Sequence, residues 1–261
     1  MCGGEYEKFK TPKHLSIVKG ERLVDRTIRL LKENGVKDIY ISSNNPLFDN
    51  CGVPRLEHEN TYKQINGTQQ GYWLDAYYPL EDNEQVCYMY GDVYYSENAV
   101  KTIVEYQCQD NTLFGTGVAK NKFHYNWGEP FAYKVINNKR FKNGIKEVKK
   151  LQDEGKTKRM PVTWELYRYL NGLDVNVQRV LNKTYVCIDD VTMDVDYPED
   201  IIEMNKWEEI YNMPWKSEAQ RKWGYTKAGT RALGGKKAVA EWEKATGGKK
   251  LPKYAPKNKK K

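Results

Sequence analysis

Apolar and polar positions in the first hundred residues alternate between helical and strand spacing. In residues 21–34 apolar side chains recur at helical intervals, and Gly35 supplies a helix stop. Short β-rich runs follow at 38–43 and 85–90, and a second amphipathic helix opens at Ser96. Because strands and helices alternate, we predict an α/β fold, a mostly parallel mixed sheet flanked by helices.

The same alternation continues through the middle of the chain. Residues 139–158 interrupt it, and their polar, basic composition predicts an exposed insertion around a short helical stretch. Strands are predicted at 113–118, 131–136 and 185–188, and helices at 97–107, 163–170 and 199–211.

Charge is distributed very unevenly along the chain. Residues 216–261 hold 15 Lys/Arg and 3 Asp/Glu, a net of +12, whereas residues 1–215 hold 28 and 32, a net of −4. The overall net charge of +8 therefore belongs to the C-terminal part, and it cannot support a nucleic-acid footprint on the larger body. We predict a folded domain over 1–215 and a basic C-terminal extension over 216–261, helical at 217–223 and 236–246 and fraying over 251–261.

Composition excludes several classes of protein. No run of about 18 apolar residues exists, so no membrane span or membrane partner is predicted. The N-terminal residues lack an apolar core, so no signal peptide is predicted. Five scattered cysteines without a CxxC pair indicate a reducing, cytoplasmic compartment and no cysteine zinc site.

One candidate phosphate site lies near the N-terminus. Gly3 and Gly4 would let backbone N–H groups approach a phosphate, and Lys13 would return to it as a point charge. The alternative is an ordinary surface loop.

Carboxylates mark two further candidate positions. Asp92 follows a hydrophobic strand, where open α/β sheets bind ligands, and an aspartate there suits Mg²⁺. Asp194 and Asp196 fall on one face of an extended segment, so either one can complete a metal site with Asp92. The alternatives are a turn aspartate at 92 and a helix cap at 196.

Taken in order, these stretches resemble one family. Residues 1–45 run through a Gly-Gly loop, Pro-Lys-x-Leu, Val-x-Gly-x-x-Leu, a helix and Gly-Val-x-Asp-Ile; GD stands at 91–92 and DYPED at 196–200. Over roughly residues 1–210 the chain resembles nucleotidyltransferases of the GT-A-like (nucleotide-diphospho-sugar transferase) fold. Within that fold the chain resembles the sugar-phosphate and phosphocholine nucleotidyltransferases.

The resemblance implies a reaction in which an acceptor phosphate attacks the α-phosphorus of an NTP and releases pyrophosphate. It implies that Asp92 and Asp196 hold Mg²⁺, that Lys13 stabilises phosphate charge, and that Lys13 and Asp92 are catalytic. It also implies a nucleotide site that includes Gly3, Gly4, Lys8 and Lys13, to which the 69–75 segment adds Gln69 and Gly71.

On the acceptor side we place Glu129, Lys134 and Trp164, although core packing is the favoured alternative for Trp164, and we interpret His14 as structural or exposed. Two departures from the family pattern stand out. Only Met1-Cys2 precede the Gly-Gly loop where the family has a strand, which implies a start further upstream or a sheet without that strand. The candidates for the family's loop arginine are Lys8 and Lys10, and a lysine keeps the positive charge but cannot bind phosphate in a bidentate manner.

Two other functions compete with nucleotidyl transfer. One is a GT-A glycosyltransferase, although its DxD motif is expected in mid-domain and here Asp194–Asp196 comes late. The other is a non-catalytic nucleotidyltransferase-like protein with a nucleic-acid-binding tail. Residues 217–252 weakly resemble short basic modules of bacteriophage-encoded proteins. Interleaved Trp223, Tyr225 and Trp242 predict binding of nucleic acid or another polyanion, and the alternative is a solvated extension.

Overall fold

The computed structural model describes residues 9, 11–65, 68–82, 84–116, 128–211, 215, 217–232, 236–248 and 250–254. The chain divides into two compact units, Met1–Tyr197 and Pro198–Lys261. The compositional change at residue 215 therefore falls inside the second unit.

Short strands and helices alternate along the first unit, so the predicted α/β class is confirmed. In chain order the strands are β1 (Ile17–Val18), β2 (Glu21–Arg22), β3 (Ile41–Ser42), β4 (Arg55–Leu56), β5 (Tyr62–Ile65), β6 (Thr68–Gly71), β7 (Val86–Met89), β8 (Val93–Tyr94), β9 (Thr112–Gly115), β10 (Pro130–Val135), β11 (Tyr185–Cys187) and β12 (Met193–Asp194). The α-helices are α1 (Leu23–Glu33), α2 (Glu97–Glu105), α3 (Asn138–Asp153) and α4 (Thr163–Leu170).

A mixed four-stranded sheet in the order β11-β9-β10-β7 forms the centre of this unit. β10 pairs antiparallel with both β7 and β9, and β11 pairs parallel with β9. The sequence predicted a mostly parallel arrangement. Three of the four strands do share one direction, but the reversed β10 lies between two of them, so antiparallel pairings outnumber parallel ones.

The hydrophobic core lies on this sheet. Leu113, Phe114, Phe131 and Tyr133 are fully buried on β9 and β10, and helices α2, α3 and α4 contribute to the same core. Burying such large side chains stabilises the fold by roughly 1.5–3 kcal/mol each. This core fixes the strand ends from which the site residues emerge.

The predicted exposed insertion at 139–158 is wrong. Helix α3 places Phe141 and Val148 in the core, and its buried Gly144 packs against α4. A Cβ at Gly144 would lie 2.7 Å from Leu170 Cδ2. The apolar positions follow helical spacing, but the many lysines on the opposite face concealed it.

The second unit contains α5 (Pro198–Tyr211), α6 (Glu218–Gly224), α7 (Lys227–Ala232) and α8 (Lys236–Thr246). Trp215, Val239 and Trp242 form a small buried core with Leu251 packed against it. The predicted fraying of residues 251–261 is wrong for the first of them, because Leu251 packs on this core and the Glu218 N–H donates to the Pro252 carbonyl at 2.9 Å. Among the described helices, none has the length and apolarity needed to cross a membrane.

Candidate active site

Strand pairing brings the two candidate metal aspartates together. Asp92 lies in the turn that connects β7 to β8, and β12 pairs antiparallel with β8. The Val195 N–H then donates to the Asp92 carbonyl at 2.9 Å. Met193 and Val195 are buried, so the alternating Asp194 and Asp196 lie on the other side of this segment.

Lys13, from the N-terminal part of the first unit, forms ion pairs with two of these aspartates. It begins a 3-10 turn (Lys13–Leu15), and its Nζ lies 2.8 Å from Asp92 Oδ2 and 3.0 Å from Asp196 Oδ1. The side chains of Lys13, Asp92 and Asp196 are 17%, 24% and 45% exposed. Three residues selected from sequence thus form one ion-pair cluster.

The electrostatics of this cluster are mutual. Burial opposes the charged form of Lys13, but Asp92 and Asp196 outweigh it and raise the Lys13 pKa above its ordinary value. Burial likewise opposes ionisation of Asp92, and Lys13 outweighs it and lowers the Asp92 pKa. Both groups are therefore charged at neutral pH.

A cavity of about 480 Å³ opens beside the cluster. Its described lining combines four carboxylates, four cationic side chains and three large aromatic rings. These are Asp92, Glu129, Asp194 and Asp196; Lys13, Arg159, Arg168 and Arg179; and Trp73, Tyr90 and Trp164. Such a mixed wall suits a ligand with phosphates and a ring or hydroxyl-bearing group.

Glu129 is held at the start of β10 by the end of β9. The Glu129 N–H donates to Thr116 Oγ1 and the Thr116 N–H donates to the Glu129 carbonyl, both at 2.9 Å. Gly115 permits this approach, because a Cβ there would lie 2.3 Å from the Glu129 carbonyl oxygen. Burial, reinforced by Asp196 and Asp92, raises the pKa of Glu129 to about 7.

Asp194 is the least compensated carboxylate of the cavity. Its Oδ1 is buried and accepts no hydrogen bond from the described residues. Burial, together with Glu129, Asp196 and Asp92, raises the pKa of Asp194 well above its ordinary range. The charged form of Asp194 is therefore disfavoured unless a further cation lies beside it.

Sequence reasoning missed the arginines of the cavity. Arg159 pairs with Glu165 at 2.9 Å, and Arg179 is exposed at the cavity wall. Arg168 is buried on α4, and its Nε has no hydrogen-bond partner among the described residues. Arg159 and Arg179 lie outside regular elements, so no periodic pattern pointed to them.

A buried hydroxyl network supports the same wall. Tyr77, Tyr90 and Thr163 share three mutual contacts of 2.6–2.7 Å, and Tyr90 and Thr163 also line the cavity. Because each hydroxyl satisfies the others, the network fixes the start of α4 against β7.

The remaining predicted site residues fall in different places. Gly3, Gly4, Lys8 and Lys10 lie outside the described residues, as does the side chain of Gln69, whose backbone belongs to β6. Gly71 pairs with Tyr62 in the β5–β6 hairpin and does not line the described cavity wall. Their roles in nucleotide binding stay predictions.

Neither Lys134 nor His14 lines the described cavity wall. Lys134 was placed on the acceptor side, and this is wrong. Its Nζ donates to the carbonyls of Ile103, Val104 and Tyr106 at 2.9–3.2 Å, where a cation stabilises the C-terminus of α2. The structural interpretation of His14 is confirmed: it is buried edge-on against Phe48, and burial lowers its pKa to about 4.

The donor set of the cluster fits a magnesium ion. Asp92 and Asp196 already share one cationic group, and the buried Asp194 oxygen stands nearby without a hydrogen bond from the described part of the chain. Within the described ranges no group of three or more Asp, Glu, His or Cys forms a ready metal cage. Mg²⁺ commonly needs only one or two carboxylates, with substrate phosphates and water completing its shell.

Comparison with known proteins adds no assignment. No protein-family model matches the chain, and no curated protein matches it significantly in sequence.

Proposed function

We propose that this protein is a Mg²⁺-dependent nucleotidyltransferase that joins an NTP to a phosphate-monoester acceptor and releases pyrophosphate. One observation carries the proposal. Lys13, Asp92 and Asp196 were selected from sequence for this chemistry, and they converge within 3.0 Å at the edge of one cavity although 183 residues separate the first from the last.

Asp92 and Asp196 would hold the metal ion in this reaction. When bound, Mg²⁺ would neutralise phosphate charge and act as a Lewis acid and template. The proposed acceptors are a sugar-1-phosphate or a phosphocholine-like monoester, whose phosphate is already anionic at neutral pH. Because the attacking oxygen is already deprotonated, no protein general base is required. The acceptor oxygen attacks the α-phosphorus, and pyrophosphate leaves with the α–β bridging oxygen.

Lys13 is the group that supports the developing charge. Its raised pKa keeps the ammonium protonated throughout the neutral range. With Asp92 and Asp196 engaged by a metal ion, the flexible Lys13 side chain would be free to donate to the α-phosphate and the leaving pyrophosphate. The contribution is electrostatic and positional, as expected for transfer at phosphorus.

The arginines supply the acceptor side of the proposal. Arg159 and Arg179 are exposed cations on the wall of the same cavity, and guanidinium groups bind phosphate in a bidentate manner. Glu129 and Trp164 line the same space, and they offer a hydrogen-bonding carboxyl group and a ring face. This combination favours an acceptor with a phosphate at one end and hydroxyl or ammonium groups at the other.

Glycosyl transfer from a nucleotide sugar is the second candidate. It is favoured by the presence of both Asp194 and Asp196, a DxD pair, on the cavity wall. The products separate the two: nucleotidyl transfer releases pyrophosphate, whereas glycosyl transfer releases a nucleoside diphosphate.

The test is a product assay with the purified chain and Mg²⁺. Each of CTP, UTP, GTP, ATP and dTTP is combined with sugar-1-phosphates and phosphocholine, and pyrophosphate and nucleoside diphosphate are measured separately. We expect pyrophosphate release that requires one NTP and one acceptor, and that is lost in Asp92→Asn.

A matched control is Asp110→Asn. Asp110 also forms an ion pair at 2.8 Å, with Arg140, but does not line the described cavity wall. It should retain activity. Nucleoside diphosphate release would support the second candidate, and a folded protein that releases neither product would support a non-catalytic role.

A further inference from the structure

The second unit carries a compact, strongly basic surface that the proposed reaction does not use. Helices α6 and α7 are joined by Tyr225 and Thr226, and the side chains around this turn face solvent. Trp223 and Tyr225 are 46% and 57% exposed. Lys222, Lys227 and Arg231 are exposed beside them in the chain.

The charge of this surface is poorly balanced. Residues 218–232, which form the two helices and their turn, contain four Lys/Arg against one Glu, within a 216–261 segment that holds 15 Lys/Arg and 3 Asp/Glu. Two of those acids are already paired with Arg221, which donates to Glu243 through Nε and one terminal nitrogen and lies 3.6 Å from Glu218 through the other. The same unit also contains the acidic helix α5, so the basic surface is confined to α6 and α7.

The backbone of the turn that carries the exposed rings is braced by hydrogen bonds from threonine hydroxyl groups. Thr226 Oγ1 donates to the Trp223 carbonyl at 2.7 Å and accepts from the Gly229 N–H at 3.0 Å. Thr230 Oγ1 donates to the Gly224 carbonyl at 2.9 Å. Gly229 is required for this packing, because a Cβ there would lie 2.0 Å from the Trp223 carbonyl oxygen.

Not every aromatic ring of this segment is available to a ligand. Trp242 was predicted to contribute to stacking, and this is wrong, because it is buried beside Trp215 with ring centroids 4.9 Å apart. Tyr225 keeps its hydroxyl on Glu243 at 3.2 Å. Trp223 is therefore the aromatic side chain best placed to meet a partner.

We propose that the α6–α7 turn, with Lys222, Trp223, Tyr225, Lys227 and Arg231, binds single-stranded nucleic acid. The cations neutralise phosphates, and an exposed ring stacks on an unpaired base. A duplex offers the phosphates but not the base faces, so it would bind more weakly. A membrane surface fits less well, because α6 and α7 have only seven and six residues and the core aromatics Trp215 and Trp242 face inward.

The test measures binding of the full chain to a fluorescein-labelled oligothymidylate of about 20 nucleotides by anisotropy over a salt series. Trp223→Ala should weaken binding about tenfold, and Trp223→Phe should restore most of the loss. Lys222→Gln or Lys227→Gln should reduce the slope of log affinity against log salt by about 0.7 for each phosphate contact.

The control variant is Tyr40→Ala, which removes a 54% exposed ring from the first unit. It should bind like the unmodified chain, and circular dichroism melts verify that each variant is folded. Heparin serves as a polyanion without bases, and its affinity should be insensitive to Trp223→Ala. Unchanged oligothymidylate affinity in Trp223→Ala, an equal loss toward heparin, or preferential binding to anionic phosphatidylglycerol vesicles would overturn the proposal.

Discussion

Replacing Lys13 with methionine tests the centre of the site most directly. The change keeps the length of the side chain but removes the ammonium that Asp92 and Asp196 share at 2.8 and 3.0 Å. Glu129 and Asp194 line the same cavity, and Lys13 favours the charged form of both, so its loss reaches beyond the two ion pairs. Without metal we expect the first unit of the variant to be less stable.

The exposures of the three side chains set the size of this effect. Breaking a fully buried ion pair costs about 3–5 kcal/mol, whereas an exposed pair contributes about 0–1 kcal/mol. Lys13 and Asp92, at 17% and 24% exposure, are nearer the buried limit, and Asp196, at 45%, adds little. We expect a loss of about 2 kcal/mol, or about 4–8 °C in Tm.

The same free energy should reappear in metal binding. If Lys13 competes with the metal ion for Asp92 and Asp196, the two are coupled, and removing Lys13 tightens metal binding by the amount the lysine opposed it. About 2 kcal/mol corresponds to about a 30-fold higher affinity. Electron paramagnetic resonance of Mn²⁺, without nucleotide, measures this affinity, and thermal melts with and without Mg²⁺ measure the coupled gain in stability.

Lys134→Met is the matched control. Lys134 also satisfies several acceptors, but these are the carbonyls at the end of α2. It should lose stability with no change in Mn²⁺ affinity and no rescue by Mg²⁺. The reasoning would be refuted if Lys13→Met were as stable as the unmodified chain and bound Mn²⁺ no more tightly.

Three further substitutions test the supports of the site. Burial raises the folded pKa of Glu129 from 4.5 to about 7, so the protonated carboxyl contributes stability below pH 4.5 that is lost as the pH rises through 7. Glu129→Gln, whose side chain stays neutral, should therefore stabilise the metal-free chain by about 1–2 kcal/mol at pH 8 but not at pH 4.5. Thermal melts that show the same difference in stability at both pH values would contradict this expectation. Thr163→Val should cost about 1–3 kcal/mol in urea melts, since Tyr77 and Tyr90 each lose a buried partner; a neutral change would mean that the network adds nothing. Gly115→Ala should destabilise the first unit and displace Glu129, because the added Cβ would lie 2.3 Å from the Glu129 carbonyl oxygen. Full activity of this variant in the product assay would show that Glu129 is not held by this contact.

The sequence pattern predicted the regular elements well where periodicity and capping agreed. Residues 163–170 form the predicted helix α4, and Ser96 caps α2 by accepting from the Ala99 N–H at 2.9 Å. The prediction failed at α3, where many lysines on the exposed face hid the helical spacing of the buried apolar residues. Reversal of β10 was also out of reach, because hydrophobic spacing carries no information on strand direction.

The site could be predicted in part for a similar reason. Asp92 and Asp196 follow recognisable strands, and Lys13 stands in a recognisable loop motif, so local patterns pointed to them. The positions of Arg159 and Arg179 depend on tertiary packing of irregular chain, which leaves no local signal. Trp242 shows the converse error, since aromatic residues among lysines suggested an exposed surface although helical spacing from Val239 placed the ring in a core.

The late position of β11 and β12 has a consequence for synthesis of the chain. Residues of β11 pair with residues of β9 that stand 72 positions earlier in the chain, and the segment that begins with β12 supplies Asp194 and Asp196 only after it. Such non-local pairings are slow to form, and a domain emerging from the ribosome at about 5–20 residues per second lacks them until late. A nascent chain that stops before residue 190 holds Lys13 and Asp92 but lacks Asp194 and Asp196, so the complete cluster arises only after most of the first unit has been translated.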